Sequence, residues 1–70
     1  MSAPLPLAID AMGGDHAPKI IVRGMRMMHH KQPERRFLVF GNRKVLDRYF
    51  ARKTVQSLRS QCEFVHTEQV

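Results

Sequence analysis

Phe37-Leu38-Val39-Phe40-Gly41-Asn42, the run FLVFGN in the middle of a 70-residue chain, decides the fold. Four consecutive apolar residues without polar alternation predict a strand covered on both faces, as strands of parallel sheets are. Gly41 closes the run, and Asn42 is placed to cap a helix that follows. Upstream, Pro33 ends a helix expected from Ala17 to about Gln32. Pro18 suits its first turn, where a missing N–H costs nothing, and Asp15 is the expected N-cap. Lys19, Arg23, Arg26 and His30 draw a polar stripe along this helix. Ile21, Met25 and Met28 draw the opposing apolar stripe, with Gly24 allowing close approach. Before the helix, Leu5-Pro6-Leu7-Ala8-Ile9 reads as a short buried strand.

Downstream, a second helix is expected from about Arg43 to Arg52, its continuation to Leu58 left open, with Val45, Leu46, Tyr49 and Phe50 on its buried side. Cys62-Glu63-Phe64-Val65 then reads as a third, half-buried strand. The order strand–helix–strand–helix–strand predicts parallel strands joined by right-handed crossovers. The fold class is therefore α/β: a β-α-β-α-β segment of a larger three-layer, Rossmann-like domain, with residues 1–70 its amino-terminal part. A sheet of three strands and two helices leaves edges and faces uncovered, which also favours a piece of a longer protein. Ligands of such sheets bind beyond the carboxyl ends of the strands. Two segments reach that rim, Gly41-Asn42 and the stretch Ile9-Asp10-Ala11-Met12-Gly13-Gly14-Asp15-His16-Ala17-Pro18.

Twelve Lys and Arg against six Asp and Glu give a net charge of +6. Half of the bases (Arg43, Lys44, Arg48, Arg52, Lys53 and Arg59) fall within residues 43–59. Such an excess attracts nucleic acid, anionic lipid or an acidic protein, or else forms a solvated helix face. Cys62 is the single cysteine, so no internal disulfide is possible, in keeping with a reducing compartment. It has no CxxC partner and reads as a structural thiol. The start MSAPLPLA lacks the charge and apolar run of a signal peptide, and no stretch is long enough to span a bilayer. A cytoplasmic location is the expectation. His29 and His30, adjacent on a helix, point about 100° apart and cannot chelate together. No metal spacing and no activated nucleophile is legible.

The adjacent glycines carry the functional question. Backbone N–H groups of Gly13 and Gly14, at the positive end of a helix dipole, suit an anion; the alternative is a tight turn that binds nothing. A dinucleotide fingerprint is excluded, because the glycines are adjacent, no third follows, and Gly41-Asn42 stands where an acid is needed. A P-loop is excluded too, since no Lys-Ser or Lys-Thr follows at the required spacing. Asp10, ending the first strand, is placed to accept loop N–H groups. Asp15 caps the helix or orients a substrate group, and His16 is an exposed histidine or a donor to the anion.

LAIDAMGGDHAPKIIVRG resembles the opening of bacterial phosphate acyltransferases of phospholipid synthesis, in which D-A-M-G-G-D and a proline-started helix follow an apolar strand. Phe37 to Gly41 is similar to their second strand, and Glu63-Phe64-Val65-His66 to their third. The resemblance implies transfer of a fatty acyl group from acyl carrier protein to inorganic phosphate, giving acyl-phosphate. It implies no metal or organic cofactor. The parent is implied to be a homodimer, cytoplasmic and peripheral to the inner membrane, with no nucleic-acid partner. On this basis Asp10, Gly13, Gly14 and His16 would bind phosphate and acyl-phosphate, and Asp15 would serve catalysis. The seventy residues match only the first part of such proteins and are expected to be inactive alone. The competing expectation is a small basic module that binds nucleic acid or an anionic surface.

Overall fold

Strand β1 runs Leu7–Asp10, helix α1 Ala17–Lys31, strand β2 Phe37–Gly41 and helix α2 Arg43–Tyr49. A 3-10 turn at Lys53–Val55 leads into a short helix α3, Gln56–Arg59, and strand β3 runs Cys62–His66. The structure, a computed structural model, describes residues 5–12 and 17–68. Gly13, Gly14, Asp15 and His16, and with them the expected capping role of Asp15, lie outside the described residues.

The expected α/β organisation holds. The sheet order is β1-β2-β3 with both pairs parallel, so the apolar run at Phe37 is indeed the central strand. Its register sets Leu7 and Cys62 on either side of Phe37, and Ile9 and Phe64 on either side of Val39. These residues share one face. Phe37 and Val39 are fully buried there with Val22 and Met25 of α1, Leu46 of α2, Phe50, Val55 and Leu58 of α3. Burying a large apolar side chain of this kind contributes about 1.5–3 kcal/mol, so this single layer carries the fold. Phe50 meets Phe64 edge to face, with ring centroids 5.0 Å apart.

The other face differs from the expectation of a strand covered on both sides. Leu38 and Phe40 are only half-buried, and Ala8, Asp10, Glu63 and Val65 are exposed. The cause is topological. A strand order that never reverses brings every right-handed crossover to the same face, and the helices of this chain all pack there.

The second helix also departs from expectation. α2 ends at Tyr49, and residues 50–52 separate it from the 3-10 turn. Gln56 Nε2 donates to the carbonyls of Phe50 and Arg52, both at 2.9 Å, and Arg59 donates to the Phe50 carbonyl at 3.2 Å. These side chains take over carbonyls that a continuous helix would have satisfied itself. The break turns Val55 and Leu58 into the core and leaves Tyr49 36% exposed, so Tyr49 is not a buried anchor. On α1, Val22 and Met25 are the buried pair, Ile21 is half-buried and Met28 exposed. A Cβ on Gly24 would meet nothing within 4 Å, so that glycine mediates no close approach.

Candidate functional site

The carboxyl ends of the three strands, Asp10, Gly41 and His66, form one rim. Each is fixed by hydrogen bonds that cross from one element to the next. The chain leaving β1 is tied down twice: Ala11 N–H donates to the Phe40 carbonyl at 2.9 Å, and Met12 N–H donates to Asp10 Oδ1 at 3.0 Å. Asp10 thus holds the turn that leads into residues 13–16, the anchoring role its position suggests. Of the predicted site residues it alone is described; Gly13, Gly14, Asp15 and His16 are not brought into a described arrangement. The segment they occupy joins the end of β1 to the start of α1 at Ala17.

Gly41 packs under this turn. A Cβ there would stand 2.8 Å from Met12 Cε and 3.2 Å from both Met12 Cγ and Leu46 Cδ1, distances that force a neighbour to move. The outgoing turn of β1 thus lies across the end of FLVFGN, with the Met12 side chain against Gly41. Asn42 caps α2 as expected, its Oδ1 accepting from Lys44 N–H at 3.0 Å and Val45 N–H at 3.2 Å.

His66 is a rim residue that sequence reasoning missed. Its Nδ1 accepts from the N–H of Arg43 at 3.0 Å, which leaves the ring proton on Nε2, facing Glu68 Oε1 at 3.8 Å. Thr67 N–H donates to the Gly41 carbonyl at 3.0 Å. A signal for His66 existed: it is the residue paired with Gly41 in the β2–β3 register, one position past the expected strand end.

The other chemistry-bearing candidates serve structure. Cys62 Sγ donates to the Leu58 carbonyl at 3.3 Å. Burial pushes the thiol up to about 11, with the nearby Arg59 charge opposing, so at neutral pH it is no nucleophile. His29 Nε2 lies 2.9 Å from Ser57 Oγ, joining α1 to α3. Among the described residues no group of three His, Cys, Asp or Glu could hold a metal ion, and no helix is long and apolar enough to cross a membrane.

Comparison with known proteins fits this architecture. The profile of a family described as "fatty acid synthesis protein" matches residues 5–70. A phosphate acyltransferase of Paramagnetospirillum magneticum is 42% identical over 69 residues, covering 99% of this chain and 19% of that protein. One of Azorhizobium caulinodans is 39% identical, covering 100% of this chain and 19% of that protein. One of Granulibacter bethesdensis is 52% identical over 46 residues, covering 66% of this chain and 12% of that protein. The chain spans about a fifth of the length of the first two of these relatives.

Proposed function

The chain belongs to the fatty acid synthesis protein family, and from that premise we propose that its parent protein transfers a fatty acyl group to inorganic phosphate. The acyl donor is a thioester of acyl carrier protein and the product an acyl-phosphate for phospholipid synthesis. Residues 1–70 are the amino-terminal part of its α/β domain, and they are inactive without the remainder. The parent works as a cytoplasmic homodimer peripheral to the inner membrane.

The reading is carried by one observation above others: relatives named phosphate acyltransferase match the chain from end to end, through the segment between β1 and α1. That segment starts at the carboxyl end of a parallel strand, where α/β sheets receive their ligands. In the proposed reaction a phosphate oxygen attacks the thioester carbonyl, the carbon–oxygen bond forms, and the carbon–sulfur bond breaks. The carrier thiolate leaves and takes up a proton. N–H groups of Gly13 and Gly14 hold the phosphate oxygens and the charge that develops on them. Asp15 holds one proton of the phosphate, His16 adds a donor, and Asp10 keeps the turn in place through Met12. No covalent enzyme intermediate is required, in keeping with the inert Cys62.

The test is product formation. A parent-length protein carrying these residues, incubated with acylated carrier protein and phosphate, yields an acyl-phosphate that hydroxylamine traps as a hydroxamate. Release of free carrier without phosphate-dependent hydroxamate, as from a simple thioesterase, contradicts the assignment.

A further inference from the structure

A groove of about 450 Å³ runs between α1 and the 3-10 turn, lined by Lys19, Val22, Arg23, Arg26, Tyr49 and Arg52, with Ile20 and Val55 completing its apolar surface. It joins concentrated positive charge to exposed apolar surface. Lys19, Arg23, Arg26 and Arg52 converge on this one concavity and, like most bases of the chain, have no acidic partner among the described residues; Arg43 and Arg59, outside it, pair with Asp47 at 3.0 and 3.4 Å. Between them lies exposed apolar surface, with Ile20 60% and Tyr49 36% accessible.

Lys19, Arg23 and Arg26 follow one another at intervals of four and three residues, one stripe about 10 Å long at 1.5 Å per residue. That is too long for a single carboxylate or phosphate. It matches a helix that repeats carboxylates at intervals of three and four and sets apolar residues between them. A flat bilayer does not follow a concave surface between two elements. Single-stranded nucleic acid stacks on aromatic platforms, and Tyr49 is the lone aromatic in the groove.

The geometry points to this groove as the docking site for an acidic amphipathic helix of the protein that carries the acyl thioester. The inference rests on the reading that the acyl donor is carrier-bound, and it adds where the carrier sits. Lys19 lies in the first turn of α1, next in sequence to the proposed phosphate segment. A carrier seated along the groove delivers its acyl arm toward the strand ends. Tyr49 and Ile20 take the apolar side of its helix, and the four bases steer its approach.

The test compares Arg23→Glu combined with Arg26→Glu against Arg36→Glu, an exposed base outside the groove. Binding of purified acyl carrier protein to the parent-length protein is read by fluorescence anisotropy, and KM for acylated carrier is read by turnover. Circular dichroism verifies that each variant keeps its helices. In the groove variant both dissociation constant and carrier KM rise about tenfold or more, with phosphate KM unmoved, while Arg36→Glu changes either by less than about twofold. Added salt weakens the wild-type complex and has less effect on the groove variant. Wild-type binding that the groove variant leaves intact, or that Arg36→Glu weakens equally, overturns the proposal. So does stronger, groove-dependent binding to anionic phospholipid vesicles or to single-stranded RNA. A wild-type protein that binds carrier through the groove yet forms no acyl-phosphate sinks the functional reading and leaves the docking site standing.

Discussion

At Gly41 the spacing of a few atoms decides how the turn out of β1 lies on the sheet. Gly41→Ala brings a methyl group within 2.8 Å of Met12 Cε and 3.2 Å of Leu46 Cδ1. The closest atom is the far end of a flexible methionine, which can turn aside, so the substitution costs about 1 kcal/mol at most. Met12→Ala removes one of the two obstacles, so the double variant is less destabilised than the sum of the singles. Strict additivity in urea unfolding would show that Met12 does not press on this position. Cys62 gives a second prediction at the same scale. Its thiol stays protonated up to about pH 11 in the folded chain, so iodoacetamide leaves it unmodified at pH 8 and labels it readily in denaturant. Between pH 9 and about 11 the folded state keeps a proton that the unfolded state has lost. The stability this group contributes is therefore complete below pH 9 and falls as pH rises through that window. Equal alkylation of folded and unfolded protein at pH 8 contradicts the half-buried placement and the raised thiol.

The elements were legible where local chemistry alone decides them. FLVFGN reads as a central strand with a capped helix after it, and both are present. Asn42 takes two N–H groups that α2 cannot satisfy itself, so Asn42→Ala costs about 1 kcal/mol and lowers the melting temperature by roughly 4–8 °C. An unchanged melt would remove the cap from the account. The elements were less legible where side chains from a distance decide them. Nothing between Tyr49 and Arg52 is a helix breaker by type. The interruption depends on Gln56 and Arg59 reaching back to the Phe50 carbonyl, a long-range choice that periodicity does not register. Tyr49 lies outside the core rather than on its expected buried side for the same reason, since a helix that stops there no longer turns it inward. His66 escaped notice because its role is to accept a hydrogen bond from Arg43, twenty-three residues away in sequence. Of the candidate site, the strand-end position and the anchoring by Asp10 could be read from sequence. For Gly13 to His16, which lie outside the described residues, the sequence offers residue types suited to an anion and no arrangement of them.

Taken as one molecule, the chain has a finished face and a bare one. Val39 is 0% and Val65 36% exposed, although they lie on adjacent strands. Val39→Asp buries a charge without a partner and abolishes cooperative unfolding, whereas Val65→Asp leaves the circular dichroism spectrum and its melt nearly unchanged. Comparable damage from both would mean that the second face is covered after all. The chain has one helical layer and one sheet, with the ends of its three strands, Asp10, Gly41 and His66, at a common rim.

In the proposed reaction the backbone amides of Gly13 and Gly14 hold the phosphate oxygens. The most direct measurement is the phosphate KM of Gly14→Val in the parent-length enzyme. Losing one hydrogen bond to a charged group is worth about 1.5–3 kcal/mol, so phosphate KM rises roughly 10- to 100-fold. Phosphate kinetics identical to wild type would contradict the assignment of this loop.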